Sequence, residues 1–429
     1  MEKPILVPVD GRTETAAFQD LGSVLRAIDH GRVKVAARTR LPTAASRRHL
    51  ASVLAGGDFY PGTPDGCIKP VGWTMLVQAG GLAIAEPSTL RLTARGRAAL
   101  GRAPEEVLRE LWTSWQANEL FDEFSRIEAI HLKGKRSIVR PSTRRRALTT
   151  LLLSLSVGAW VEVDEFFARA RESGARLEIT GDLSRLYAGD PILGSLVFVA
   201  EAAWNLVAVR YGLAVLFEIL APMGALEVDY VSPRGARSDF QALFAGEELP
   251  FLSRYDGLRR FRLTALGAYC LGVESGYRPP ASRAPRVTWS GLELEFSEPP
   301  PPGLVTLLGQ YARPLSAVRW RLDMTRTLAS AERGHPLDAL RRALSEPPPE
   351  ARAFLAEAER RTTALVHRGT AHLFSCESEE LARRLAADPA TSRWCVLASQ
   401  GRLVVEERHL ERFKESARRL GYAVLPEMA

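Results

Sequence analysis

One short motif occurs twice, and it constrains the fold more than any other feature of the chain. Leu90-Arg-Leu-Thr-Ala-Arg-Gly-Arg-Ala-Ala-Leu-Gly101 agrees with Phe261-Arg-Leu-Thr-Ala-Leu-Gly-Ala-Tyr-Cys-Leu-Gly272 at seven of twelve positions. Each copy begins as a strand and runs at once into a short apolar-periodic helix that ends in glycine, the residue that enters the left-handed region without strain. Upstream of each copy the sequence predicts a helix and then an apolar strand, at 73–80 and 82–85 for the first and at 210–221 and 225–230 for the second. Helix, strand, connection, strand, helix is the order of the back half of a winged helix, with the connection as its wing. The first wing is a tight turn at Pro87-Ser88, and the second is a long insertion over 231–260, rich in Gly, Pro and charge.

Ahead of the first copy, residues 18–30 form an amphipathic pattern, and 43–54 form a helix that Thr43 is placed to cap. The expected fold is therefore α+β: tandem winged-helix domains followed by a small C-terminal α/β module. The domain expectations are a first winged helix over 1–103, a linking helix and helix-turn-helix unit over 104–175, and a third unit with the long wing over 176–278. A C-terminal module over 285–429 follows, bounded by Pro279-Pro280 and Pro299–Pro302. Within it, 286–296 alternates as a strand and 315–343 reads as helical. The last 65 or so residues switch to strand–helix alternation.

Composition narrows the class. At 429 residues the chain exceeds one core. Its four cysteines are far apart without a CxxC pair, which predicts reduced core thiols and a cytoplasmic setting. The apolar stretch 192–220 contains Glu201, Asn205, Arg210 and Glu218, so it reads as a core helix pair and no membrane partner is expected. A net charge of +7 permits nucleic-acid binding where the cations cluster.

The C-terminal part, over about 285–427, resembles the helicase-associated domain of XPB-type helicases and their bacterial relatives. The likeness is carried by Leu307-Leu-Gly-Gln-Tyr-Ala312, Trp320-Arg-Leu322, Leu328-Ala329, Gly334, His372-Leu-Phe-Ser-Cys376 through Ala382, and Leu420-Gly-Tyr-Ala423. The N-terminal part resembles uncharacterised bacterial winged-helix proteins that carry such a module. It does so through Val77-Gln-Ala-Gly-Gly-Leu-Ala83, Phe121-Asp-Glu-Phe-Ser-Arg126 and Leu252-Ser-Arg-Tyr-Asp-Gly-Leu258. The resemblance implies a module beside a motor, or one that docks a motor to a partner. The motor itself is absent: the only Gly-Lys pair, Gly134-Lys135, lacks the upstream glycine of a phosphate-cradling loop.

Three basic clusters are candidate phosphate contacts. Lys133, Lys135, Arg136, Arg140, Arg144, Arg145 and Arg146 fall within fourteen residues that contain no acid. Cations at a helix start oppose its dipole, so they need another reason to be there. Pairing with Asp122, Glu123 and Glu128 is the alternative to phosphate. The second cluster is Lys34, Arg38, Arg40, Arg47, Arg48 and His49, around the helix expected to enter a major groove. The third, on the long wing, is Arg254, Arg259, Arg260 and Arg262. The groove helix offers no Asn or Gln, which favours positioning over base readout.

Catalysis is not expected. Pro64-Asp65 with Lys69 lacks the second acid of a nuclease, and His367, His372 and Cys376 lack a fourth zinc ligand. Neither cofactor, metal nor small-molecule substrate is anticipated. Trp73, Trp112, Trp115 and Trp160 read as core anchors. The functional expectation is a non-enzymatic accessory protein that binds nucleic acid, DNA first, through phosphates. It would recruit a separate helicase, ATPase or nuclease in genome maintenance or anti-phage defence. A protein-only scaffold subunit is the alternative.

Overall fold

The two motif copies occupy equivalent places in the computed structural model, which describes residues 12–62, 67–134, 138–241, 243, 246–280, 286–300, 302–334, 337–344 and 347–425. The first copy closes the series α1 (Arg12–Asp29), a short strand at Lys34-Val35, α2 (Ala44–Val53), α3 (Lys69–Ala79), β1 (Ala83–Glu86), β2 (Thr89–Leu92) and α4 (Ala94–Ala99). Helix α5 (Pro104–Ala117) and strand β3 (Ile130–Leu132) follow. The second copy closes α6 (Pro141–Leu152), β4 (Trp160–Glu162), α7 (Val163–Glu172), an insertion with β5 (Leu186–Ala188), α8 (Trp204–Leu220), β6 (Leu226–Tyr230), β7 (Leu258–Leu263) and α9 (Ala265–Leu271). In both, the last strand lies between the other two. Lys34 bridges Thr89 of β2, which pairs with β1, and the second sheet runs β4-β7-β6.

The repeated Arg-Leu-Thr-Ala-x-Gly has one physical explanation in both copies. Thr93 Oγ1 accepts from Gly96 N (3.0 Å) and donates to Gly81 O (2.8 Å); Thr264 Oγ1 accepts from Gly267 N (2.9 Å) and donates to Gly224 O (2.6 Å). Each threonine caps its helix and ties it to the entry of the hairpin. The glycines permit the close approach: a Cβ on Gly96 would lie 2.0 Å from Leu82 O, and one on Gly267 would lie 2.0 Å from Ala225 O.

The domain expectations change here. A single apolar core runs from Ala17 to Cys270, so segments 1–103, 104–175 and 176–278 are not separately cored. Helices α6 and α7 belong with α8 and its hairpin, and do not form a unit of their own. The two series meet through their third helices. All eleven residues of α3 are buried, and a Cβ on Gly72 would sit 1.8 Å from Glu218 O of α8. A backbone approach that close requires glycine.

The remainder also departs in detail from expectation. Residues 286–296 are a hairpin, β8 (Val287–Ser290) and β9 (Glu293–Phe296), turning at Gly291 with φ of 60°. After α10 (Pro302–Tyr311) come β10 (Ala312–Pro314) and β11 (Arg319–Leu322), the latter inside the 315–343 stretch where a helix was expected. Trp320 and Leu322 are buried while Arg319 and Arg321 are exposed, a period of two that outweighs the helical reading. These strands form the sheet β10-β11-β9-β8. Helices α11 (Met324–Glu332), α12 (Leu337–Ala343) and α13 (Pro349–Thr362) follow.

The chain divides into two compact units, Met1–Ala358 and Glu359–Ala429, so the expected module over 285–429 is split between them. Its first half packs on the N-terminal helix: Arg26 of α1 donates to Gly303 O of α10 (3.3 Å). The second unit contains β12 (Ala371–Ser375), α14 (Glu379–Ala387), β13 (Val396–Ala398), β14 (Arg402–Glu406) and α15 (Leu410–Arg419), with β14 central in an antiparallel sheet. Ala382, Leu385, Leu403, Val405 and Phe413 form its core. No single described helix is long and apolar enough to cross a membrane; the 192–220 stretch is a pair, Leu196–Ala202 and Trp204–Leu220, bent by 88°.

Candidate nucleic-acid interface

The three basic clusters separate into interior and surface. Arg144 and Arg145 are fully buried, and Arg254 is 8% exposed. Arg145 donates to Glu123 (Nε to Oε1, 2.7 Å; Nη2 to Oε2, 3.2 Å) and to the carbonyls of Trp115, Asn118 and Phe121, with its guanidinium 4.1 Å from the Trp115 ring centroid. Arg144 pairs with Asp122 (2.6 Å) over the Tyr211 ring, and Arg254 pairs with Glu128. These three are corrected: they are structural ion pairs, out of reach of a phosphate. The physical reason lies in 121–128, where each carboxylate draws an arginine onto it. Glu123 is fully buried and needs a cation where water does not reach, while Asp122 and Glu128 stay partly exposed and hold the buried Arg144 and Arg254 from the rim. Arg126 of the same turn pairs with the buried Glu218 of α8 (2.9 Å). Arg210 lies between Asp239 (2.5 Å) and Asp256 (3.0 Å).

Of the rest of the first cluster, Lys133, Arg140 and Arg146 are exposed. Lys133 Nζ donates to Pro191 O and lies over the Tyr187 ring. Lys135 and Arg136 lie outside the described residues, as do Pro64 and Asp65 of the partial nuclease pattern. Expected on the long wing, Arg259, Arg260 and Arg262 instead lie on strand β7: Arg259 is exposed, Arg260 pairs with Asp229 (2.7 Å) and Arg262 with Glu227 (2.5 Å). Both guanidiniums lie about 5 Å from the ring of Trp160, which is 39% exposed and so is not the core anchor expected. Trp73, Trp112 and Trp115 are buried.

The second cluster stays on the surface. Thr43 N donates to Lys34 O (3.0 Å), Ala36 N to Leu41 O (2.9 Å), and Lys34 N to Ser46 Oγ (2.7 Å), folding the 36–41 loop against the start of α2. Arg40 adopts φ of 57°, held by Gln78 Nε2 donating to its carbonyl (3.0 Å). Thr43 caps α2 by accepting from Ser46 N (3.3 Å), as expected. Lys34, Arg38, Arg40 and Arg48 are exposed, and among the described residues no carboxylate pairs with them; Arg47 is half-buried. Two cations that the sequence reading left out extend this edge. Arg32 is exposed and close enough to His49 that, after burial, its charge lowers the imidazole's affinity for a proton. Arg91 is exposed on β2. The sequence signal was available: no Asp or Glu occurs between Asp29 and Asp58.

One cleft of about 640 Å³ lies between α7, the start of α8 and the 235–239 turn. Its cations Arg171 and Arg237 face Asp164, Glu172 and Asp239, and Arg237 pairs with Asp164 (2.8 Å). Opposite charges cancel there, so a polyanion gains nothing from the cleft. Among the described residues no group of three or more His, Cys, Asp or Glu is arranged to hold a metal ion.

No protein-family model and no curated protein matches the chain.

Proposed function

We propose that the chain is a non-enzymatic adaptor that holds a nucleic-acid backbone through phosphates on the α2 edge and brings a separate helicase or nuclease to it. Both halves of the N-terminal region are read as winged helices, on the strength of their shared element order and central third strand. The observation that carries the proposal is the α2 edge itself. Arg32, Lys34, Arg38, Arg40, Arg48 and Arg91 are exposed without carboxylate partners among the described residues, whereas the deeper arginines are neutralised. Helix α2, expected to enter a major groove, offers no Asn or Gln to base edges, and α3 is buried against α8, so contact is with backbone and independent of sequence. The resemblance of 285–427 to an XPB-type helicase-associated domain supports a motor protein as the partner. A cytoplasmic setting fits the reduced cysteines.

A protein-only scaffold is the second reading. The mutual burial of α3 and α8 favours it, because it turns the third helix of each series into an internal joint. Fluorescence anisotropy with two 20-base-pair duplexes of unrelated sequence separates the two. The adaptor binds both equally, with affinity falling steeply as salt rises. No binding at low salt leaves the scaffold, and a strong preference for one duplex refutes backbone contact.

A further inference from the structure

The sheet of the second unit has one face on its helices and one face open. On β12 and β14 the inward residues are Phe374, Leu403 and Val405, which pack with Phe413. The outward residues form cross-strand rows. Leu373 pairs with Val404, which pairs with Val396, so three apolar side chains make a line across the middle of the open face. Leu373 is 58% exposed and Val396 is 70% exposed. One step along β14, Arg402 stands between Ser375 and Ala398; one step the other way, Glu406 stands beside Ala371. The pattern is therefore positive, apolar, negative, with small residues around the charges.

We propose that a second copy of this chain covers this face, through a twofold axis running along the Leu373–Val404–Val396 row. Rotation about that axis places the apolar row on itself and sets Arg402 opposite the partner's Glu406 twice over, so the surface is complementary to itself. The other in-plane axis, along the strands, sets Arg402 over Arg402 and Glu406 over Glu406, which like charge forbids. Arg402 is exposed and has no ion pair among the described residues; Glu406 is half-exposed and is shared with the exposed Arg408 (2.5 Å). Three strands of three to five residues give a face of roughly 14 by 17 Å. That is well below the ~800 Å² per partner of a standard interface, so the dimer is weak and depends on concentration.

Sedimentation velocity of the full chain at low salt, from roughly 1 to 500 µM, tests this, with circular dichroism as the check on folding. The expected result is a monomer–dimer equilibrium that Val396→Lys abolishes. Arg402→Glu alone and Glu406→Arg alone each weaken it about tenfold, because each places like charges face to face, and the double reversal restores it. A monomer at every concentration overturns the proposal. So does a dimer indifferent to Val396→Lys, which uses another surface, or single reversals without rescue in the double, which means that the charges do not meet.

Discussion

Replacing Arg145 with alanine separates an architectural arginine from a phosphate ligand. Its guanidinium holds a fully buried carboxylate, Glu123, and three main-chain carbonyls. Removing it leaves the Glu123 charge inside without a partner, which costs about 3–5 kcal/mol. Each orphaned carbonyl adds up to about 1–3 kcal/mol where water does not reach it, and the terms overlap rather than add. A loss of at least ~3 kcal/mol is therefore expected. In a unit as large as Met1–Ala358, where the unfolding entropy is ~0.75 kcal/mol/K, that lowers the melting temperature by about 4 °C. Urea unfolding followed by circular dichroism gives the free energy, and anisotropy at a temperature where the variant is still folded gives its affinity for duplex. The expected outcome is a large fall in stability with unchanged salt dependence of binding. Stability within about 0.5 kcal/mol of the parent, the ordinary range for a surface change, together with a lost phosphate contact, refutes the interior assignment.

Further outcomes follow from the same structure. Gly96→Ala and Gly267→Ala each force a methyl to within 2.0 Å of a carbonyl oxygen, and each is expected to cost about 1–3 kcal/mol by overpacking; equal costs in the two copies mark the shared geometry. Hydrogen bonds from Arg102 hold Glu110 down to about 2, below its ordinary 4.5. A depressed carboxylate contributes stability that is present above pH ~4.5 and lost as pH falls toward ~2. Because the Glu110 side chain is 40% exposed and solvent screens its pairing, Glu110→Gln should remove less than about 1 kcal/mol at neutral pH and flatten that acid limb of an unfolding titration. Burial pushes the Cys395 thiol up to about 11. Its reaction with an aromatic disulfide near pH 8 should proceed only after unfolding, and prompt labelling of the native Cys376→Ser variant, which lacks the half-buried thiol, contradicts its burial.

The repeated motif was the most legible feature, because a threonine cap and a close-approach glycine act within a few residues and leave a local signature. Element type was legible where periodicity was strong, as in α1 and in the strand–helix alternation of 371–420. It failed at 286–296 and 319–322, where a hairpin and a short strand give patterns that a continuous strand or a helix also fits. Domain boundaries were hidden for a different reason. The packing of α3 on α8 joins residues 72 and 218, and nothing local at Gly72 announces that partner. The same long-range contact decides the fate of the arginines. The run over 133–146 looks like surface charge in one dimension, and only the inward turn of Asp122 and Glu123 assigns Arg144 and Arg145 to the core. The α2 edge was legible because its neighbourhood lacks acids altogether.

The salt dependence of duplex binding in two triple variants tests the division between interior and surface cations most directly. Each phosphate contact contributes about 0.9 to the slope of log affinity against log salt. Arg38→Ala/Arg40→Ala/Arg48→Ala should lower that slope by up to ~2.7 while leaving the unfolding free energy within about 0.5 kcal/mol of the parent. Arg140→Ala/Arg146→Ala/Arg259→Ala, also exposed but away from α2, should change the slope little. An unchanged slope in the first variant, or an equal fall in the second, contradicts a polyanion-binding edge at α2.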